Sequence, residues 1–151
     1  MLRQDINNAL KEAMKAQDAR RVSTLRLINS ALKNADIEAR GQGKEPLTDE
    51  EALSVLQRMI KQRQESVALY DQGNRPELAQ QERDEIAIIS VYLPRQMSDI
   101  EAGTVISALV HEINAQGLKD MGRVMSALKE RYAGKMDFSK ASAAVKKLLA
   151  R

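Results

Sequence analysis

Apolar residues recur along this chain at intervals of three and four, the period that lines one face of an α-helix. Leu2, Ile6, Leu10 and the Ala13–Met14 pair predict a first helix, and Leu25, Ile28, Leu32 and Ala35 a second, with a break at Gln17-Asp18. Arg40-Gly-Gln-Gly-Lys-Glu-Pro46 is a loop by its glycine and proline punctuation. Thr48-Asp-Glu-Glu51 has the form of a capping box, in which the Thr48 side chain accepts from the amide three residues on and Glu51 reaches back. The helix it opens uses Leu53, Leu56, Ile60, Val67 and Tyr70 and stops at Gly73, and Pro76 suits the first turn of the next. That fourth helix carries Leu78, Ile86, Ile88, Ile89, Tyr92 and Leu93. It cannot run on through Pro94, whose ring pushes the preceding residue out of the helical region.

Ser98-Asp-Ile-Glu101 restarts the chain with a second capping box. Val105, Ile106, Leu109 and Ile113 predict a fifth helix with its stop at Gly117. Between Gly117 and Asp137 the spacing predicts one short amphipathic helix, with Asp120 as its N-cap. Met121, Val124, Met125, Leu128 and Tyr132 form its apolar face, while Gly122, Ser126 and Ala133 make a strip of small residues elsewhere. A last helix, capped by Asp137 or Ser139, carries Phe138, Ala141, Val145, Leu148 and Leu149. No run alternates as a strand. The expectation is an all-α protein: an N-terminal domain of about four helices over residues 1–93, and a three-helix C-terminal domain over 98–151, with the boundary at Leu93–Met97.

Composition narrows this reading. Aromatics are 3% and Trp is absent, so the core is built from Leu, Ile, Val, Met and Ala, an inventory that suits helix bundles. Zero Cys removes disulfides, thiol nucleophiles and cysteine metal sites, and is compatible with a reducing cytosol. Met1-Leu-Arg-Gln-Asp-Ile carries charge where a signal peptide needs an apolar run, and no stretch approaches membrane-spanning length. The expectation is a cytoplasmic protein with no membrane partner. The net charge of +3 is uneven: residues 1–94 hold fourteen Lys/Arg against fifteen Asp/Glu, whereas residues 119–151 hold nine against three. Such local bias points to an anionic partner.

Catalytic chemistry is hard to find. His111-Glu112 lacks the second His that a helical zinc motif needs, since position 115 is Ala. Asp84 and Glu85 are adjacent and point in different directions on a helix, which argues against a paired acid and base. Gly41-Gln-Gly43 has no preceding strand and no phosphate-loop context. No catalytic residue, metal site or cofactor is expected. Arg20, Arg21 and Arg26 either pair with nearby acids or bind an anion. In the last helix Lys140, Ala144, Lys147 and Arg151 share a stripe with Lys146 beside it, and no acid follows Asp137. Part of this charge complements the helix C-terminus, and part is available for phosphates.

Five stretches carry a family resemblance. Asp120-Met-Gly-Arg-Val-Met125, Gly134-Lys-Met-Asp137 and Val145-Lys-Lys-Leu-Leu149, with Leu25-Arg-Leu-Ile-Asn-Ser-Ala-Leu32 and Tyr92-Leu-Pro-Arg-Gln-Met97, resemble the GatB/YqeY family. The chain has Ser126 where that family often has Gly. In Asp/Glu-tRNA amidotransferases a tail domain of this pattern closes the GatB polypeptide, and stand-alone YqeY-like proteins join it to an N-terminal helical domain. The resemblance implies a tRNA-binding accessory protein linked to glutamine-dependent tRNA amidation, a carbon–nitrogen ligase reaction, without the catalytic body. Its expected partners are tRNA or another structured RNA and an amidation or aminoacylation complex. The candidate contacts are Lys119, Arg123, Lys135, Lys140 and Lys147 for phosphates, and Gly122 for close backbone approach. The alternative is a protein–protein adaptor that uses the small-residue strip and the basic surface.

Overall fold

The computed structural model describes residues 1–150. Among them are seven α-helices and a single 3-10 turn, with no strand, so the protein is all-α. The chain divides into two compact units, Met1–Pro94 and Arg95–Arg151. No helix is long and apolar enough to cross a membrane among the described residues.

The first unit holds α1 (Leu2–Lys15), α2 (Ala19–Gly41), α3 (Asp49–Gln72) and α4 (Pro76–Ser90). Gln17 turns the chain at φ 57°, and the Asp18 side chain then accepts from the Arg21 amide to start α2. The Thr48–Glu51 capping box is present in both directions. Asn74, rather than Gly73, takes the left-handed conformation after α3 (φ 56°), and Pro76 opens α4. Asparagine tolerates that region because its short polar side chain bonds locally. Ile6, Leu25, Ile28, Leu32, Leu56 and Ile89 are sealed from solvent and meet in one core. These are helical repeats of three, four and seven seen from the inside.

Ion pairs then join the helices. Arg20 bonds Asp84 at 2.6 Å, and Arg63 bonds Glu85 at 2.9 Å and the Met59 carbonyl at 3.1 Å. The arginine at the start of α2 is therefore neutralised by α4, and Asp84 and Glu85 do diverge to different partners.

Asp36 anchors the loop before α3. Its carboxylate accepts from the Arg3 guanidinium at 2.8 Å and from the Leu47 amide at 3.0 Å. The Arg3 hydrogen bond first, and the Leu47 amide second, hold this carboxyl below its ordinary range. The stabilisation is therefore complete above the unfolded carboxylate value of about 3.9, and is lost as pH falls through the lowered folded value. Asp36→Asn is expected to cost about 1–2 kcal/mol at neutral pH, the partly exposed Arg3 keeping the figure modest. Denaturant melts from pH 7 down to pH 3 check this: the gap between wild type and variant should close in acid.

Thr24 is fully buried, and its hydroxyl has no hydrogen-bond partner among the described residues. Replacing such a group by an apolar one of similar shape removes a desolvation penalty. Thr24→Val should raise stability by about 1 kcal/mol, and a loss of that size in the same melts would contradict the unsatisfied hydroxyl.

The second unit holds α5 (Asp99–Glu112), a 3-10 turn (Leu118–Asp120), α6 (Met121–Tyr132) and α7 (Phe138–Leu149). The Ser98–Glu101 capping box is again complete. α5 stops at Glu112 and not at Gly117, because Asn114 adopts φ 55° and Ala115 closes back on the Val110 carbonyl at 3.0 Å. The expected single helix after Gly117 is in fact the 3-10 turn followed by α6. Asp120 makes no side-chain cap on α6; its carboxylate accepts from the Gln116 amide at 2.8 Å and ties down the segment before the turn. Gly134 turns the chain at φ 76°, a conformation that favours glycine, and Asp137 caps α7 through the Ser139 and Lys140 amides. Ile106, Leu109, Val124, Leu128, Ala141 and Val145 form the core of this unit. The stretch leading into α5 is fastened across it: Met97 donates its amide to the Lys135 carbonyl at 2.8 Å, and Gln96 Nε2 donates to the Gly134 carbonyl at 2.6 Å.

Candidate nucleic-acid interface

The apolar face of α6 is committed to the core, so its remaining positions are what solvent meets. Val124 and Leu128 are buried, and Met121, Met125 and Tyr132 pack against them half-buried. Gly122, Arg123, Ser126 and Lys129 lie on the exposed side. At Gly122 an added Cβ would meet nothing within 4 Å. The fold itself thus leaves room for a side chain at a helical position where glycine costs about 1 kcal/mol relative to alanine.

Each candidate cation is exposed, but they differ in their partners. Arg123 bonds the Asp120 carboxylate at 3.2 Å, one turn back along the chain. Lys140 lies 3.8 Å from Asp99, the first residue of α5, so one α7 cation finds its acid far away in the chain although none follows Asp137. No local spacing shows that pair, since forty-one positions separate the two residues. Arg131 forms a two-pronged bridge to Glu112 at 2.8 and 2.9 Å, and this guanidinium holds the Glu112 carboxyl below its ordinary range. The Asp120 carboxyl is lowered too, chiefly by the Gln116 amide.

Lys119, Lys135 and Lys147 have no ion-pair partner among the described residues. Lys129 and Lys146, left outside the candidate set, share that condition and are equally exposed. The sign of their sequence environment pointed to them, but only the pairing of the arginines separates them from their neighbours. Arg151, the end of the expected stripe, lies outside the described residues. Residues 95–151 hold ten Lys/Arg against six Asp/Glu, and four of those acids are engaged by Arg95, Arg123, Arg131 and Lys140. Among the described residues five lysines then remain, against Glu130 and Asp137, so the field of this unit is positive.

A family profile described as Yqey-like protein matches residues 3–149, from α1 to the end of α7. The chain belongs to the Yqey-like family. Its helices therefore share one family pattern over both units, and the resemblance seen in the five stretches extends through the whole match.

Curated relatives of this Yqey-like chain are named altered inheritance of mitochondria protein 41, mitochondrial. The one from Lachancea thermotolerans is 37% identical over 112 residues, covering 72% of this chain and 58% of that protein. The one from Clavispora lusitaniae is 34% identical over 108 residues, covering 70% and 61%. The relative from Vanderwaltozyma polyspora is 36% identical over 85 residues, covering 56% and 44%. The Yqey-like chain thus spans less than two thirds of the length of the relatives it matches. Their names overturn the cytoplasmic expectation, because these relatives are mitochondrial proteins. The reasons for that expectation were weak on physical grounds. A lack of cysteine removes thiol chemistry without marking a compartment, and a charged stretch near Met1 does not mark one either.

Proposed function

We propose that this protein is an RNA-binding accessory factor that holds structured RNA, tRNA first among them, through its C-terminal unit. The observation that carries the reading is the set of five exposed lysines, Lys119, Lys129, Lys135, Lys146 and Lys147, left over after Arg95, Arg123, Arg131 and Lys140 have met acids. Unpaired lysines at a surface meet a polyanion without first giving up an acid, and the counterions that the polyanion then releases drive binding. Exposed Gly122 supports the same reading, since it lets a backbone approach α6 closely. With one Phe, three Tyr and no Trp, recognition rests mainly on shape and phosphate positions.

The resemblance to the tail domain of the amidotransferase GatB polypeptide supports a place beside glutamine-dependent tRNA amidation, with the ligase chemistry supplied by another protein. Titration of the full chain with a tRNA transcript at several salt concentrations tests the proposal. Salt-sensitive binding that weakens when Lys135 and Lys147 are reversed to Glu supports it. Binding indifferent to salt, or no binding at all, would instead favour an adaptor that meets an acidic protein.

A further inference from the structure

An open cleft of about 310 Å³ lies in the C-terminal unit, between the C-terminal parts of α5 and α7. Its size is at the lower end of small-ligand pockets, roughly 300–1,000 Å³. Val110, Ala115, Leu148 and Leu149 supply apolar surface. Ser107, His111, Asn114 and Gln116 add a hydroxyl, an imidazole and two carboxamides around it. The cleft owes its shape to the early stop of α5 at Glu112: the left-handed turn at Asn114 brings Ala115 and Gln116 back beside the helix end.

The polar groups are available. Asn114 Oδ1 accepts from Gln116 Nε2 at 2.9 Å, and Asn114 Nδ2 and Gln116 Oε1 make no hydrogen bond within the described residues. The same holds for the Ser107 hydroxyl and the His111 ring. A donor, an acceptor, a hydroxyl and a flat aromatic ring beside leucine side chains match the edge and the face of a heterocyclic base. No acid lines the cleft, and Lys146 and Lys147 immediately precede its two leucines in α7. Phosphates attached to the base therefore find positive charge close by in the chain.

We infer that this cleft takes an unpaired nucleobase, stacked on His111 and read by the Asn114 and Gln116 carboxamides. A base extruded from a bound RNA and the base of a free mononucleotide share this chemistry. The RNA source rests on the function proposed above; the chemistry of the cleft does not. Single unstacked bases are commonly held in this way, by aromatic faces and hydrogen bonds to their edges.

The chain has one His, so histidine-labelled full-length protein shows the signals of one imidazole by NMR. It would be titrated with a tRNA transcript, with each of the four nucleoside monophosphates, and with inorganic polyphosphate, which has the charge but no base. The expected result is an upfield ring-current shift with the transcript and a smaller one, at higher concentration, with a monophosphate, but none with polyphosphate. His111→Ala, at an exposed position, should weaken transcript binding about five- to hundredfold without changing its salt slope, and His111→Phe should restore it.

A polyphosphate shift as large as that from the transcript would overturn the inference. So would salt-dependent transcript binding with an unmoved signal and a neutral His111→Ala. If the wild type binds no RNA, the proposed function falls and the monophosphates decide the cleft: a shift assigns it to free nucleotides, and no shift removes it.

Discussion

Leu128→Ala is expected to remove a large share of the stability of the C-terminal unit. Leu128 has no exposed surface and sits at the centre of the α5–α7 core with Val124 and Val145, both equally buried. Truncating such a leucine costs about 2–5 kcal/mol, the spread reflecting how far the surroundings can close over the cavity. A unit of this size has little to lose: at roughly 0.05–0.15 kcal/mol per residue, about fifty to sixty residues give about 3–9 kcal/mol in all. Small domains also bury a smaller share of their surface, so no second core stands in reserve.

Amide exchange in α5, α6 and α7 of the full chain should therefore rise by roughly 30- to several-thousand-fold, the factor that about 2–5 kcal/mol implies, and salt-dependent RNA binding should weaken wherever the unit opens. Leu118→Ala, at a half-exposed position in the 3-10 turn, should stay within about 0.5 kcal/mol of wild type. A loss below about 1 kcal/mol for Leu128→Ala would show that this core is not what holds the lysines in place.

Raising salt fourfold should weaken tRNA binding by about 20- to 500-fold. The range follows from about three to five phosphate contacts and a slope of about −0.7 to −0.9 per contact in log affinity against log salt. Five lysines without acid partners set the upper count. Lys135→Glu with Lys147→Glu should flatten the slope by about two contacts, roughly 1.4–1.8 units. Both side chains are exposed, so neither change disturbs the core.

Lys15→Glu with Lys33→Glu, two exposed lysines of the N-terminal unit, alters net charge by the same amount and should leave the slope nearly unchanged. Reversing Arg20 would instead be a structural change, because it bonds Asp84. Equal losses from the two double variants would mean a diffuse attraction to total charge, and the C-terminal interface would be rejected.

Helix positions were legible because amphipathic spacing and caps are local. Thr48 with Glu51, and Ser98 with Glu101, each satisfy amides within one turn of themselves, so the residues that start the helix also announce it. Stops were less legible. Gly73 does end α3, although Asn74 takes the left-handed turn after it, whereas α5 ends at Glu112 with the turn at Asn114 and not at Gly117. Either residue type can adopt that conformation, and the choice between neighbours falls to the packing around the turn.

By itself the sequence determined the helical class, the cores and the location of excess positive charge. Each follows from residues at short range: the periodicity of Leu, Ile and Val, the caps, and the bias of the last thirty-odd positions. Tertiary structure alone decided which cations are free. Glu112 reaches Arg131 across nineteen positions, and Asp99 approaches Lys140 across forty-one, because folding sets α5 beside the helices that follow. It also decided the cleft at His111, which exists only where α5 and the end of α7 are brought together. Charge pairing and concavity depend on distances in space, and a linear pattern carries only distances along the chain.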